Sequence, residues 1–214
     1  EPPPFQIDGR VDVDETIRIR HRYLDLRTGR MQQNLRSRAA INAAIRRSME
    51  DQDFVEVETP MLIASTPEGA RDFVVPSRLS PGDFYALPQS PQLFKQLCMV
   101  GGIDRYYQVA RCMRDEDLRA DRQFEFTQLD MEMSFADGEQ VRAVVSEAVS
   151  DATEIITGDR PDSIPEMPWI EAMNRYGSDK PDVRFGLELV ELTEVFAGTD
   201  FNAFKASTVK GIKV

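Results

Sequence analysis

The residues best suited to chemistry lie between 111 and 132, where two strand-like runs flank a loop dense in arginine and carboxylate. Arginine carries a fixed positive charge and a planar set of donors that fits phosphate and carboxylate oxygens two at a time. Arg114 beside Glu116, followed by Arg122 and Phe126, could therefore hold a nucleoside triphosphate, with the arginines on the phosphates and the ring stacked on the base. The alternative is a solvated hairpin tip whose exposed ion pairs contribute little to stability.

The run from 123 to 135 alternates as a strand with two different faces does. One face carries polar groups, at Phe126, Gln128, Asp130 and Glu132. The other is mainly apolar, at Thr127, Leu129, Met131 and Met133. Polar side chains in the middle of a long strand are costly to bury without partners, so the first face is predicted to line a polar pocket. A solvent-facing side of an antiparallel sheet is the alternative.

Around this pair of strands the pattern predicts an α/β fold. The predicted helices are 31–52, 92–100, 137–158 and a short one at 169–175. The predicted strands are 54–59 (ended by Pro60), 73–75, 84–87, 104–113 and 123–135. The first seven residues contain three consecutive prolines and predict a stiff linker. A new pattern of alternating helix and strand signals begins at about residue 187.

Composition excludes several classes of protein. Of 214 residues, 41% are hydrophobic and 29% charged, which is typical of a soluble globular protein. No apolar run approaches the ~20 residues that span a bilayer, so no membrane partner is expected. Cys98, Cys112 and His21 are too scattered for a zinc site, and two isolated cysteines are consistent with a cytoplasmic protein. A net charge of -11 weighs against RNA binding by bulk electrostatics.

The order Arg114-Asp-Glu116, loop, Arg122-Gln-Phe-Glu-Phe126 resembles motif 2 of the class II aminoacyl-tRNA synthetases. Three further stretches are similar to the bacterial aspartyl-tRNA synthetase family: Thr66-Pro-Glu-Gly-Ala-Arg-Asp72, Ala86-Leu-Pro-Gln-Ser-Pro-Gln-Leu-Phe-Lys-Gln96 and Tyr176-Gly-Ser-Asp-Lys-Pro-Asp182. The resemblance runs from about residue 17 to at least 200. One such motif would be weak evidence, but four in the same order are specific.

The resemblance implies a class II catalytic core, with a mixed, mainly antiparallel sheet flanked by helices, that is incomplete in this chain. Residues 1–16 would be a linker from a missing anticodon-binding domain. Residues 17–186 would be the N-terminal part of the catalytic domain, with motif 1 at about 31–60 and motif 2 at about 104–135. Residues 187–214 would begin an insertion domain. Motif 1 implies a homodimer.

The implied reaction is the activation of aspartate with ATP to aspartyl-adenylate, followed by transfer to tRNA, which is the work of an aspartate–tRNA ligase. By resemblance, Arg114 is catalytic and contacts both the α-phosphate and the aspartate carboxylate. Glu116 would meet the adenine amino group and Phe126 would stack on the ring. Arg122 would hold the distal phosphates, and Asp115 and Gln123 complete the ATP-binding set.

The aspartate pocket is implied on a second group of residues. Lys95 would pair with the side-chain carboxylate of the substrate, because an ammonium at the base of a pocket favours a carboxylate over an amide. Asp130 would orient Lys95. Glu68 would take the substrate's α-ammonium, with Gln92 alongside. An exposed helical lysine is the ordinary alternative for Lys95.

The sequence departs from the family in three respects. Phe124 stands where many relatives have proline. No anticodon-binding domain is present, and nothing resembles motif 3, near which magnesium ligands are expected. Magnesium is therefore expected with the reaction, but no metal ligand is assigned in this chain, and the isolated chain is expected to be inactive. Two other functions stay open: a non-catalytic module that dimerises or binds nucleotide, and an asparagine-synthetase-like enzyme of the same fold.

Overall fold

A computed structural model describes residues 2–8, 12–66, 68–119, 121–206 and 208–213. Compactness divides the chain into two units, Glu1–Asp162 and Ser163–Val214. This division falls before the boundary at 186/187 that the sequence predicts between catalytic and insertion domains. Backbone compactness does not report which domain a segment serves, so the predicted domain limits remain a prediction.

The first unit contains five helices and five strands among the described residues. In chain order they are α1 (Glu15–Arg20), α2 (Arg22–Asp25), α3 (Gly29–Asp51), β1 (Val55–Glu56), β2 (Val74–Pro76), β3 (Phe84–Ala86), α4 (Gln92–Val100), β4 (Arg105–Met113), β5 (Glu125–Met133) and α5 (Gly138–Thr157). The helices at 31–52, 92–100 and 137–158 and the two long strands are thus confirmed to within two residues at each end.

The central sheet has the strand order β1-β4-β5, so β5 lies at one edge. β1 runs parallel to β4, and β4 runs antiparallel to β5 with Gln108 opposite Asp130. A separate antiparallel pair joins β2 to β3. The predicted mixed, mainly antiparallel sheet flanked by helices is therefore confirmed.

The two faces of the β4–β5 pair have different roles. One face packs against α3 and α5 in a core whose buried members are Met49, Phe54, Tyr107, Val144 and Ala148. Leu129, Met131 and Met133 extend this core from β5, as the alternation predicts. The opposite face carries the polar residues of β5, so the same strand contributes to both the core and the site.

The ends of α5 are fixed by local chemistry. The Asp137 carboxylate accepts a hydrogen bond from the Gln140 backbone N–H at 2.9 Å, and the Gln140 side chain accepts one from the Asp137 N–H at 3.0 Å. This reciprocal cap satisfies two N–H groups that the first turn of a helix leaves free. Gly158 ends the helix with a φ of 81°, a conformation that glycine adopts without steric penalty.

Strand β1 is shorter than predicted. The sequence predicts a strand over 54–59, but only Val55 and Glu56 pair with β4. The prediction was wrong for Phe54 and for residues 57–59, although the Val57 N–H still donates to the Tyr107 carbonyl at 3.1 Å. Beyond the strand, Thr59 directs its hydroxyl to the side chain of Gln108 at 3.0 Å, toward the polar face of the sheet.

Helices α1 and α2 were not predicted, and α1 begins inside the range 1–16 assigned to the linker. Asp25, 2% exposed, holds this region together. Its carboxylate accepts hydrogen bonds from Arg18 at 2.9 Å and from Arg22 at 2.6 Å. The Thr28 hydroxyl donates to the Asp25 carbonyl at 2.8 Å, just before α3 begins. The region is thus ordered through one buried acid.

The second unit contains α6 (Trp169–Tyr176), β6 (Leu189–Glu191), a short 3₁₀ turn (Asn202–Phe204) and β7 (Lys210–Ile212). β6 and β7 pair antiparallel. Arg175 joins α6 to the segment before β6, because its guanidinium bonds Glu171 at 2.5 Å and Glu188 at 2.6 Å. Across the described residues of both units, no helix has the length and apolarity to cross a membrane.

We predict that Asp25 makes the stability of the first unit sensitive to acid. The hydrogen bond from Arg18 is the main cause that lowers the pKa of Asp25 below its ordinary value of 3.8. A carboxyl whose folded pKa is lowered contributes stability above its unfolded pKa and loses it as the pH falls through the folded pKa. The difference in unfolding free energy between the wild type and Asp25→Asn should be constant above about pH 5 and shrink below about pH 4.

Urea unfolding followed by circular dichroism between pH 2.5 and 7 measures this difference. Glu15→Gln removes an exposed carboxyl from α1 and serves as the control; it should leave the acid-sensitive part of the curve in place. Parallel curves for the wild type and Asp25→Asn over the whole pH range would contradict the prediction.

Candidate functional site

The loop between β4 and β5 forms one wall of a cleft. The Arg114 backbone N–H donates to the Phe124 carbonyl at 2.8 Å, which closes the two strands on each other at the mouth of the loop. A cavity of about 510 Å³ opens beside it. Its lining residues are Arg114, Glu116, Asp117, Leu118, Asp121, Arg122, Gln123 and Phe126. The structure thus brings together the predicted ATP-binding residues except Asp115, which lines the neighbouring cavity.

Arg114 is half-buried at the base of this cleft. Its guanidinium carbon lies 5.0 Å from the centroid of the Phe126 ring, within the range of a cation–π contact. Its Nε donates to the Gln89 carbonyl in a long hydrogen bond of 3.4 Å. Neither described partner carries a charge, so the positive charge of Arg114 is available to an anion.

The other charged residues of the loop are more exposed. Arg122 lies 3.5 Å from Glu116, and Asp115 lies 3.5 Å from Arg71. Ion pairs between exposed side chains contribute little stability, so an incoming phosphate could replace them with little loss of free energy. Gln123 is exposed at the rim.

Lys95 forms a buried charge cluster with the polar face of β5. Helix α4 directs its ammonium to Asp130, with both carboxylate oxygens at 3.2 Å, and to Glu132 at 3.4 Å. Lys95 and Asp130 are each 9% exposed, so the exposed-lysine alternative is wrong. The predicted pairing with Asp130 is present. Glu132, which the sequence did not assign, is a second acidic partner.

The cluster holds one ammonium against two carboxylates. Burial is the main cause that raises the pKa of Asp130, while Lys95 opposes the rise and Glu132 and Glu68 add to it. Only one Asp130 oxygen meets Lys95 in hydrogen-bond geometry; the other, Oδ1, is buried with no hydrogen-bond partner among the described residues. The ammonium is therefore strongly held, and Asp130 Oδ1 can still accept a hydrogen bond.

Glu68 is positioned by two hydroxyl groups. Thr66 donates to one carboxylate oxygen at 3.0 Å, and Ser90 donates to the other at 2.5 Å. Ser90 in turn accepts the backbone N–H of Gln92 at 3.3 Å, at the start of α4. Glu68 and Gln92 are thus linked through Ser90, consistent with the predicted grouping of the two residues.

No role was assigned from the sequence to Thr66, Gln89 or Ser90. The sequence placed Glu132 on the polar face of β5 but did not pair it with Lys95. That pairing could have been found, because Glu132 shares the face with Asp130. Gln89 and Ser90 lie inside one of the motifs, but nothing in their local spacing distinguishes a positioning residue from a neighbour. Their partners are 17 to 25 residues away along the chain.

The polar face of the β4–β5 pair also carries buried groups that remain neutral. Burial raises the pKa of the Cys112 thiol to about 11, so the thiol is protonated near neutral pH and is not an activated nucleophile. Its Sγ donates to the Gln128 side chain at 3.3 Å. Burial likewise raises the pKa of Tyr106, whose hydroxyl donates to Gln108 at 2.8 Å. Neither Cys112 nor Tyr106 is therefore an activated nucleophile in this structure.

A metal centre is not formed by these groups. Over the described ranges, no three His, Cys, Asp or Glu side chains come together in a way that could hold a metal ion. Three of the acids are engaged elsewhere: Glu132 by Lys95, Glu116 by Arg122, and Glu68 by the hydroxyls of Thr66 and Ser90.

Comparison with known proteins agrees with this arrangement. The family model described as tRNA synthetases class II (D, K and N) matches residues 14–207. An aspartate–tRNA(Asp/Asn) ligase of Gloeobacter violaceus is 56% identical over 215 residues, covering 100% of this chain and 36% of that protein. The ligase of the same name from Mycolicibacterium paratuberculosis is 57% identical over 211 residues, covering 99% and 35%.

A third relative is similar over the same length of this chain. An aspartate–tRNA(Asp/Asn) ligase of Symbiobacterium thermophilum is 54% identical over 213 residues, covering 99% of this chain and 36% of the relative. The chain therefore spans about 36% of the length of the relatives it matches. Since the family model covers most of the chain, the conclusion is direct: this chain belongs to the class II tRNA synthetases of the D, K and N group.

Proposed function

We propose that the protein containing this chain is an aspartate–tRNA ligase, which activates aspartate with ATP and transfers the aspartyl group to tRNA. The observation that carries the proposal is the buried Lys95 ammonium, held by Asp130 and Glu132. The strand that holds it also carries Phe126, on which Arg114 rests at the base of the adjoining cleft. The names of the relatives, which are aspartate–tRNA(Asp/Asn) ligases, support the same substrate.

The choice of amino acid follows from charge. A substrate carboxylate could take the place of Glu132, the more exposed of the two acids, beside the Lys95 ammonium. An amide carries no charge and could not take over that ion pair. Glu68, fixed by Thr66 and Ser90, offers an acceptor for the substrate's α-ammonium. These two charges, of opposite sign, would bind the two ends of aspartate in one orientation.

ATP would occupy the cleft of about 510 Å³ beside the loop. Phe126 provides a ring for the adenine, and Glu116 provides an acceptor for its amino group. Arg122 would exchange its exposed contact with Glu116 for the distal phosphates. Gln123 borders this volume and Asp115 borders the neighbouring cavity, and the two complete the proposed ATP-binding set.

Arg114 would act at the new bond. Activation requires the aspartate α-carboxylate to approach the α-phosphate, and these two anions repel each other. The Arg114 guanidinium, whose described contacts are uncharged, has several N–H donors and could donate hydrogen bonds to both anions at once. Catalysis of this kind depends on positioning and on neutralising charge.

Magnesium, tRNA and cellular location belong to the same proposal. Among the described residues no group of three or more His, Cys, Asp or Glu side chains could hold a metal ion, so magnesium would be bound mainly by the phosphates of ATP and by other parts of the protein. Because the chain has a net charge of -11, we expect tRNA to be bound mainly by other parts of the protein. Two free cysteines are consistent with work in the reducing cytoplasm.

We also propose a homodimer formed through motif 1, here α3 and β1. Leu35 on α3 and Val55 on β1 are large apolar residues that remain exposed in the single chain. Light scattering at micromolar concentration should give twice the chain mass of 24.3 kDa. Leu35→Glu should give the single mass, whereas Leu79→Glu, an exposed leucine outside motif 1, should not. A wild-type chain of single mass would sink the proposal for this chain.

Arg114→Ala in the full-length protein should lower aspartate-dependent pyrophosphate exchange by about 10²–10³, because removing one preorganised charged donor typically has this effect. The loss should appear in turnover as well as in affinity. Arg111→Ala is the matched control, since Arg111 pairs with Glu125 at the surface at 2.5 Å. The 214-residue chain alone should show little exchange. Full exchange by Arg114→Ala would remove Arg114 from the catalytic role.

Lys95→Met should weaken the binding of aspartate more than the binding of ATP. Removing one member of a buried charge pair costs on the order of 3–5 kcal/mol, so the KM for aspartate should rise at least about 100-fold. The KM for ATP should change little. The double variant Lys95→Met/Asp130→Asn also removes the Asp130 carboxylate that Lys95→Met would leave unpaired. It therefore serves as a control for a loss of affinity that comes only from unfolding. An unchanged KM for aspartate in either variant, measured by pyrophosphate exchange, would contradict the assignment.

A further inference from the structure

A short segment before β2 carries Glu68 over the site, and one buried side chain fixes it. We call residues 68–73 the strap. Its far end is tied back by Asp72, which accepts a hydrogen bond from the Ser65 hydroxyl at 2.5 Å. The hydrogen bond between Asp72 and Ser65 therefore closes the strap into a loop. The position of this loop depends on the side chain that packs beneath it.

The side chain beneath the strap is that of Gln89, which is 2% exposed. Its Oε1 accepts the Ala70 backbone N–H at 3.0 Å, and its Nε2 donates to the Ala70 carbonyl at 2.8 Å. Nε2 also donates to the Asp72 carboxylate at 2.6 Å. The amide thus binds both backbone groups of one strap residue and the side chain of another, using both of its N–H groups.

The backbone around Gln89 is fixed from the other side by the hairpin. The Met113 N–H at the end of β4 donates to the Pro88 carbonyl at 2.9 Å. The next carbonyl, that of Gln89, accepts Arg114 Nε at 3.4 Å. Gln89 therefore touches the strap with its side chain and Arg114 with its backbone.

A second connection between strap and hairpin lies at the surface. The Asp115 N–H donates to the Arg71 carbonyl at 3.0 Å, and the two side chains lie 3.5 Å apart. The Arg71 side chain is 77% exposed, so its ion pair is screened by solvent and contributes little. The buried amide of Gln89 is the connection that water cannot readily replace.

We propose that Gln89 is a positioning residue that holds Glu68 and Arg114 in one fixed arrangement; the inference rests on the proposed aspartate activation. Glutamine alone among similar side chains supplies this set of bonds. Glutamate would place a carboxylate against Asp72 and lose both donors. Methionine, of similar length, would leave both backbone groups of Ala70 unpaired.

Pyrophosphate exchange in the full-length protein tests the proposal. We expect Gln89→Glu and Gln89→Met to lower turnover per active site about 10²-fold, because a misplacement of about 1 Å can have this effect. The KM for aspartate should rise. The KM for ATP should stay within about twofold of the wild-type value, because the proposed contacts to adenine and to the distal phosphates lie on the β4–β5 hairpin. Adding Asp72→Asn to Gln89→Glu restores one donor between the two side chains and should recover part of the loss.

A second measurement on the 214-residue chain does not require activity. Hydrogen exchange at the Ala70 amide should be at least about tenfold faster in Gln89→Met, because its acceptor is gone. If the wild-type protein shows no aspartate-dependent exchange of pyrophosphate, the proposed function fails while the Ala70 result still stands. If the wild type is active and both Gln89 variants keep its turnover and KM values per active site, the inference is overturned, whatever their melting temperatures.

Discussion

The register of β4 against β5 is the constraint on which both the core and the site depend. Side chains alternate along a strand, so a slip of one residue would exchange the two faces completely. Asp130 and Glu132 would then enter the apolar core beside Met49, and Leu129 and Met131 would replace them in the cleft. Burial of the core face on α3 and α5 and pairing of the polar face with Lys95 penalise the same slip. The fold and the charge cluster therefore stabilise each other.

Arg114 and Lys95 are held in different ways. Lys95 is buried and lies against the carboxylates of Asp130 and Glu132, which fix its ammonium in place. Arg114 rests on a ring and a carbonyl, which orient its charge without neutralising it. The difference suits the roles proposed for them, because selecting an anion needs a fixed charge and bringing two anions together needs a charge that is not already neutralised. Cys112 lies on the same face of the sheet, and burial raises the pKa of its thiol.

Much of this could be predicted because the signals were local or belonged to a motif. The alternation along β5 predicted which residues face the core, and the family resemblance predicted Lys95 beside Asp130. Helices α1 and α2 were missed because their stability depends on the buried carboxylate of Asp25, which is not visible as a periodic pattern. The end of β1 was missed because strand propensity continues where pairing with β4 stops. Gln89 was missed because its bonds span the fold.

The position of β5 at the sheet edge has a consequence for how the molecule avoids its own copies. An edge strand is a template on which a second strand can add, and natural proteins discourage this with charged side chains on the exposed strand. β5 carries three carboxylates, those of Glu125, Asp130 and Glu132. A second copy that added along this edge would bring its own three carboxylates beside these, and like charges on neighbouring strands repel. In a chain of these 214 residues, the acids that hold Lys95 would therefore also disfavour the pairing of two copies along β5.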